Sequence, residues 1–285
     1  MNLHPAQKFK APTSIQAGVS LKDLMDGKLI RLIAESMVAV HPGFRTTSFV
    51  AAATKGLDKL ELKDRARHIA HAMAEQLPST TSDAMHLLVK SLGPELQSTE
   101  GNGLAVFFYL PHTSLIAEYG VNCFSSGMLA NYEITKRFTA EFSIRSFVIQ
   151  HETLCLNQLR TWVSDANPHV RRLVSEGTRP RLPWAMRLPS IQENPQLTIP
   201  LLELLKDDDE LYVRRSVANH LGDLAKDHPE TIFDLCHKWL DEVTDNQEAF
   251  ANNRRWVIRH ALRHPDKQGV RRATELRIAA GGKRK

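Results

Sequence analysis

The sequence predicts an all-α fold, a solenoid of stacked helical repeats. Three observations carry this. Apolar residues recur at helical spacing along almost all of the 285 residues. No set of strand-length segments alternates apolar with polar residues. Segments in the second half repeat at spacings of 43 and 44 residues.

Leu21 to Val40 reads as a helix, with Leu24, Leu29, Leu32 and Met37 on one side and charges opposite. Leu60 to Leu77 follows and contains Lys63, Arg65, Arg67 and His68. Thr81 to Leu92 is the next helix, with Thr81 or Ser82 as N-cap. Leu104 to Leu110 is a short apolar run stopped by Pro111; its spacing fits a buried strand or a buried piece of helix equally. Gly101-Asn-Gly103 before it reads as a turn, lacking the lysine of a phosphate loop.

The repeat aligns Pro168-His-Val-Arg-Arg-Leu-Val, Leu211-Tyr-Val-Arg-Arg-Ser-Val and Arg255-Trp-Val-Ile-Arg-His-Ala through Val170, Val213 and Val257. A period of about 40–47 residues is that of HEAT-like repeats. Each unit needs its neighbour to cover its apolar face. Asn167-Pro168, Asn194-Pro195, His228-Pro229 and His264-Pro265 mark the expected junctions between helices. The reading is one HEAT-like domain over 1–270, with a helical cap at 1–100, repeats carrying the site at 101–270, and a basic tail at 271–285. Trp162 and Trp239 read as packing residues.

Hydrophobic residues are 42% and charged residues 24%, which excludes wholesale disorder. Three cysteines, Cys123, Cys155 and Cys236, cannot build a disulfide framework. They point to a reducing compartment, and no signal peptide or membrane span is expected. The net charge is only +5, but Arg254 to Lys285 carries +9 and Arg160 to Arg187 carries +4. The rest is therefore acidic, and two basic segments suit a polyanion, nucleic acid first.

The alignment, extended to Ser143-Ile-Arg145, puts one arginine at the same place in four units: Arg145, Arg172, Arg215 and Arg259. A stripe of this kind on a concave face would track a phosphate backbone, with Arg171 and Arg214 adding charge beside it. The structural alternative is that each arginine pairs with an acid of the next repeat and serves stacking alone.

The densest chemistry lies in Asn167 to Arg187. Asn167 reads as N-cap, Pro168 as the first helical residue, and Gly177 as the C′ glycine. Glu176 falls in the last turn, where the helix dipole disfavours an acid, so Arg172 and Arg179 are expected to compensate it. Arg181 and Trp184 follow in a proline-broken loop. The carboxylate, the arginines and the indole suit a cationic or aromatic group beside a phosphate; a buried ion network around a core tryptophan fits equally well. Glu141 is a second acid of interest, flanked by Phe138, Phe142 and Phe147. Its plain reading is a helical pair with Arg145, worth about 0.3–0.5 kcal/mol.

Other chemistry finds no support. His151-Glu152 is followed by Cys155, not by the second histidine of a zinc helix. His68 and His71 lack a third ligand, so no metal is expected. No GxSxG occurs, and no cofactor is implied.

VRRLVSEGTRPRLPWAMRLP (170–189) and LKDDDELYVRRSVANHLGDLAKDHP (205–229) resemble the DNA alkylation repair glycosylases of the AlkC/AlkD superfamily, closest to the AlkC branch. FTAEFSIRSF (138–147), LKDLMDGKLIRLIAE (21–35) and VAVHPGF (38–44) are similar to it as well. The resemblance spans about residues 20 to 265. It implies a HEAT-like solenoid that cradles double-stranded DNA and excises N-alkylated purines, 3-methyladenine above all, without flipping the base. By position it implies Glu141 and Glu176 as active-site carboxylates and Trp184 as the site's aromatic. It places Arg172, Arg179 and Asp223 near the site or the DNA backbone, with Arg181 among the anion-holding arginines. Ser146 departs from the family's pattern, where a proline is expected. Some relatives carry a C-terminal immunoglobulin-like domain; this chain is expected to lack it, its basic tail standing in part for it. A monomer in the cytoplasm, at the nucleoid when bound to DNA, is the expected form. A non-catalytic DNA-binding HEAT-like protein and a protein-interaction scaffold are the other readings. The basic segments disfavour the scaffold.

Overall fold

The computed structural model of the chain describes residues 3–243 and 248–283. Every regular element among them is helical. The helices gather into two compact units, 1–151 and 152–285.

The first unit contains α1 (Pro5–Lys8), α2 (Gly27–Val40), α3 (Thr46–Thr54), α4 (Leu62–Ala74), α5 (Thr81–Lys90), α6 (Leu110–Glu118), α7 (Phe124–Thr135) and α8 (Ile144–Gln150). The expected helix from Leu21 is split into a 3-10 turn, Leu21–Leu24, and α2. The cause is Asp26, whose carboxylate accepts from the Lys28 and Leu29 amides at 2.9 and 2.8 Å and starts the helix afresh. Leu29, Ile30, Ile33 and Met37 form the buried face of α2. Arg65 of α4 turns inward and donates to the Leu60 and Lys22 carbonyls, so its charge serves the fold. His68 lies 3.0 Å from the Ala52 carbonyl oxygen, and His71 2.5 Å from the Glu118 carboxylate. The ambiguous run at Leu104 is a 3-10 turn, Ala105–Tyr109, that leads into α6. Pro111 sits in the first turn of α6, where a missing N–H costs nothing. Gly101 and Gly103 both have positive φ, as a turn requires.

The second unit contains α9 (Glu152–Thr161), α10 (Pro168–Glu176), α11 (Pro189–Glu193), α12 (Ile199–Leu205), α13 (Leu211–Leu224), α14 (Pro229–Asp241), α15 (Glu248–Ala261), α16 (Arg263–Lys267) and α17 (Arg271–Ala279). The repeat is real: α10 packs on α13, and α13 on α15. Val170, Val213 and Val257 are all 0% exposed at the equivalent place in the three helices. Each buried valine contributes about 1.5–3 kcal/mol, far more than a surface ion pair. Trp162 and Trp239 are buried as packing residues. Asn167, Asn194 and His228 precede helical turns that open with proline, but Pro265 lies inside the short α16. Residues 271–279, read from sequence as tail, form α17. Its Arg272 bonds Glu230 and Asp234 of α14, and Ala273 and Leu276 are buried. No described helix is long and apolar enough to cross a membrane.

Candidate active site

The site in the second unit is built on the C-terminal end of α10. Asn167 caps the start, accepting from the His169 amide at 2.9 Å, with Pro168 in the first turn. Glu176 closes the last turn and is 5% exposed. Gly177 follows with φ −66°, so the helix ends without a left-handed glycine. Instead, Thr178 donates to the Val174 carbonyl at 2.6 Å and carries the chain round to Arg179.

Arg179 joins two acids. It donates to Glu176 Oε1 at 2.7 Å and to Asp223 Oδ2 of α13 at 2.9 Å. Arg172 lies one turn before Glu176, at 3.4 Å from Oε1, with its guanidinium over the Tyr212 ring. Ser216 of α13 donates to Glu176 Oε2 at 2.6 Å. Lys226 holds the other oxygen of Asp223 at 3.0 Å. Burial by itself would raise the Glu176 carboxyl; the charges of Arg172 and Arg179 and the Ser216 and Arg179 hydrogen bonds outweigh it and hold the group below the ordinary carboxylate range. Glu176 is therefore ionised at neutral pH. The poor placement of an acid at this end of the helix is compensated as the sequence predicts.

The loop after Arg179 closes on itself. The Leu188 amide donates to the Pro180 carbonyl at 3.3 Å, and the Ala185 amide to that of Leu182 at 3.3 Å. Leu182 and Leu188 are buried and anchor it. Trp184 stands between them, 64% exposed, with φ +63°. A non-glycine residue held in this left-handed region costs about 1–3 kcal/mol and persists only where its surroundings fix it. An exposed indole on strained backbone is no core filler.

Glu141 belongs to the first unit. It lies in the turn between α7 and α8, not within a helix. The Thr139 hydroxyl donates to Glu141 Oε2 at 3.0 Å and accepts from the Glu141 amide at 3.2 Å. Ser143 donates to Asn131 of α7 at 2.6 Å and pins the end of the turn. The carboxylate is half-buried and oriented by its own turn.

The arginines sort into classes that the sequence does not separate. Arg145 is 0% exposed in α8, among Ile144, Phe147 and Val148, which are also buried. It is buried, whereas the repeat alignment expects it on an exposed stripe. Arg171 grips Asp208 with two hydrogen bonds, 2.6 and 3.0 Å, and Arg181 grips Asp227 likewise at 3.1 and 2.6 Å. Arg214 donates to the Asp208 carbonyl at 2.5 Å. Arg171 and Arg181 thus pair with acids 37 and 46 residues on, about one repeat away, which is the stacking use. Arg259 donates to the carbonyl of Ala280. Arg215 is exposed, and Asp223 is buried between Arg179 and Lys226. Sequence reasoning missed Ser216 and Lys226. Both lie on α13, Ser216 in the third copy of the motif beside Val217, and only the α10–α13 packing shows what they face.

No family model matches the chain. It is 30% identical over 257 residues, 90% of its length, to a protein of Bacillus subtilis (strain 168) described as uncharacterized protein YhaZ, and covers 67% of it. Among solved structures it is similar to the Pseudomonas fluorescens alkylpurine DNA glycosylase AlkC bound to DNA containing an abasic site analog. Identity is 35%, with 91% of this chain and 68% of that one covered, and the TM-score is 0.78. The chain belongs to the AlkC family. The all-helical repeat fold is accordingly the AlkC fold, and the resemblance read from residues 170–189 and 205–229 is one of structure as well as sequence. In this AlkC chain those two segments supply α10, the Trp184 loop and α13, which together carry Glu176, Arg179, Ser216 and Asp223.

Proposed function

We propose that the protein is a monofunctional alkylpurine DNA glycosylase that hydrolyses the N-glycosidic bond of N-alkylated purines, 3-methyladenine foremost, in double-stranded DNA. It acts as a monomer in the cytoplasm, at the nucleoid when bound to DNA. The observation that carries this reading is the likeness to an AlkC glycosylase bound to abasic-site DNA, at 35% identity over 91% of the chain.

The chemistry follows from charge. Alkylation at N3 makes adenine cationic and already a good leaving group, so no strong general acid is needed. Positive charge develops on the deoxyribose as the bond breaks, and a nearby carboxylate stabilises it. Glu176 is ionised and rigidly held, which suits that role. Glu141, oriented by Thr139, is the second carboxylate that the family resemblance implies. Trp184 offers an exposed π-face to the nucleoside.

Around Glu176 and Asp223 stand Arg172, Arg179 and Lys226, so the cluster alone is not negative. Flanking phosphates would offset Arg172 and Arg179 and leave the carboxylates to act on the sugar. DNA binding and bond cleavage are coupled on this reading.

The test is release of free base from N-methylated duplex DNA, separated by chromatography, with Glu176→Gln and Glu141→Gln alongside. Release of 3-methyladenine by the wild type, with loss in either variant, supports the reading. Duplex binding without release would make the chain a DNA-binding protein whose acids are structural. Trapping of a Schiff base by borohydride would overturn the monofunctional assignment.

A further inference from the structure

Arg171, Arg172, Arg179, Arg181, Arg254, Arg271, Arg272 and Arg277 of the second unit pair with carboxylates. Arg263 and Arg215 differ. Both are exposed, and the acceptors that hold Arg263 are neutral oxygens. Arg215 and Asn219 are one turn apart on α13. Arg263 begins α16, which follows α15 directly, and α15 packs on α13.

A small polar frame joins them. Asn219 Oδ1 accepts from Arg263 Nη2 at 2.9 Å and lies 3.3 Å from His260 Nε2. Arg263 also donates to the His260 carbonyl at 2.5 Å. The His260 ring stacks on Trp256, centroids 4.8 Å apart and planes at 11°, which fixes its orientation. One amide oxygen thus holds Arg263 in place, and bonds to neutral acceptors leave its full positive charge. The frame adjoins the Glu176 network. The Arg263 guanidinium is destabilised by burial and then by Arg179, and Asp223 partly offsets this. His260 is held down to about 4 by burial, by Arg263 and by Arg215. Both guanidiniums are thus tied to one place by geometry: Arg263 through the Asn219 oxygen it shares with His260, and Arg215 one turn before Asn219 on α13.

We propose that Arg263, steadied by Asn219, forms with Arg215 a clamp for one backbone phosphate of the DNA beside the Glu176 network, and is a positioning residue for the reaction. The ligand class, a phosphodiester, rests on the proposed function. Arg215 is the arginine that the repeat alignment singles out; Arg263, Asn219 and the stacked His260 are what the structure adds. The guanidinium is suited to a phosphate because its fork offers two parallel donors, and the bond to Asn219 spares it part of the ordering entropy on binding.

The test measures binding of an unmodified labelled duplex across a salt series, for the wild type, Arg263→Gln, Arg263→Lys and Asn219→Ala. Lys238→Gln is the control, since Lys238 is an exposed residue of α14 that pairs with Glu203 and lies outside both basic segments. Expected is a salt slope shallower by about 0.9 for Arg263→Gln, one phosphate contact fewer. Affinity at fixed salt should fall about tenfold. Arg263→Lys should keep the slope, Asn219→Ala should weaken binding with the slope retained, and the control should match the wild type. In the wild type, duplex should move the His260 imidazole titration upward by NMR, and in Arg263→Gln much less. An Arg263→Gln slope and affinity equal to the wild type would overturn the clamp. So would a wild type that does not bind duplex. A wild type that binds duplex but releases no base would sink the glycosylase reading and leave the clamp to stand on the slope.

Discussion

Ser216 donates its hydroxyl hydrogen to Glu176 across 2.6 Å, from a position 40 residues further along the chain. The same hydroxyl lies 3.0 Å from that of Ser175, and His220 lies 3.0 Å from the Ser175 carbonyl oxygen. The seam between α10 and α13 is therefore polar where it meets the site and apolar at Val170 and Val213. Its polar end keeps an acid buried yet ionised.

Glu176→Gln should lower base release by about 10²–10³-fold with duplex affinity kept, as for loss of one preorganised electrostatic group. At neutral pH it should also cost about 1–3 kcal/mol of stability, because Arg172 and Arg179 lose a partner. The Glu176 carboxyl titrates below its ordinary 4.5 in the folded protein. Its stabilisation is thus fully present above 4.5 and disappears as pH falls through the lower folded value. Thermal melts of wild type and variant should differ most near neutrality and converge in acid.

Arg171→Ala should act on the fold. The side chain loses two hydrogen bonds to Asp208 and one each to the Asp165 and Ala166 carbonyls. A fall of about 1–3 kcal/mol in urea unfolding is expected, leaving Asp208 half-satisfied. The salt slope of duplex binding should stay at the wild-type value; a shallower slope would show that Arg171 faces phosphate after all.

Trp184 allows stability to be separated from function. Trp184→Gly removes the indole and relaxes the left-handed backbone, whereas Trp184→Ala removes the indole and keeps the strain. Both should lose most base release. The glycine variant should be the more stable of the two by about 0.5–1 kcal/mol in thermal or denaturant melts.

Gly127→Ala tests the packing of α7 against α8. A Cβ at Gly127 would sit 2.5 Å from the Phe147 ring and closer still to the Gly120 carbonyl oxygen. Neither neighbour has room to retreat, since Phe147 is fully buried. A loss of about 1–3 kcal/mol is expected, read by denaturant unfolding.

Much of this was legible in the sequence because it is periodic. The 43- and 44-residue spacing located α10, α13 and α15, and Asn167-Pro168 located the start of the site helix. Glu176 between two arginines was readable because its helix position demanded compensation. What was not readable depends on which faces meet. Arg145 and Arg215 hold the same place in the alignment, yet one is in a core and the other in solvent. The Arg-Arg doublets looked like charge for a polyanion, but Arg171 and Arg214 are turned onto Asp208. Residues 1–100 have no repeat, so their helices carried no register to read. Ser216 and Arg263 meet partners 40 and 44 residues distant in sequence.

The Trp184 loop is tied at both feet, by Leu182 and Leu188 in the core and by the Leu188–Pro180 hydrogen bond, before any ligand arrives. The backbone that carries the indole is therefore ordered when the chain folds, not when DNA is met. Encounter with a lesion then needs no loop closure, so association at this face should follow diffusion and electrostatic steering and show no slow isomerisation step.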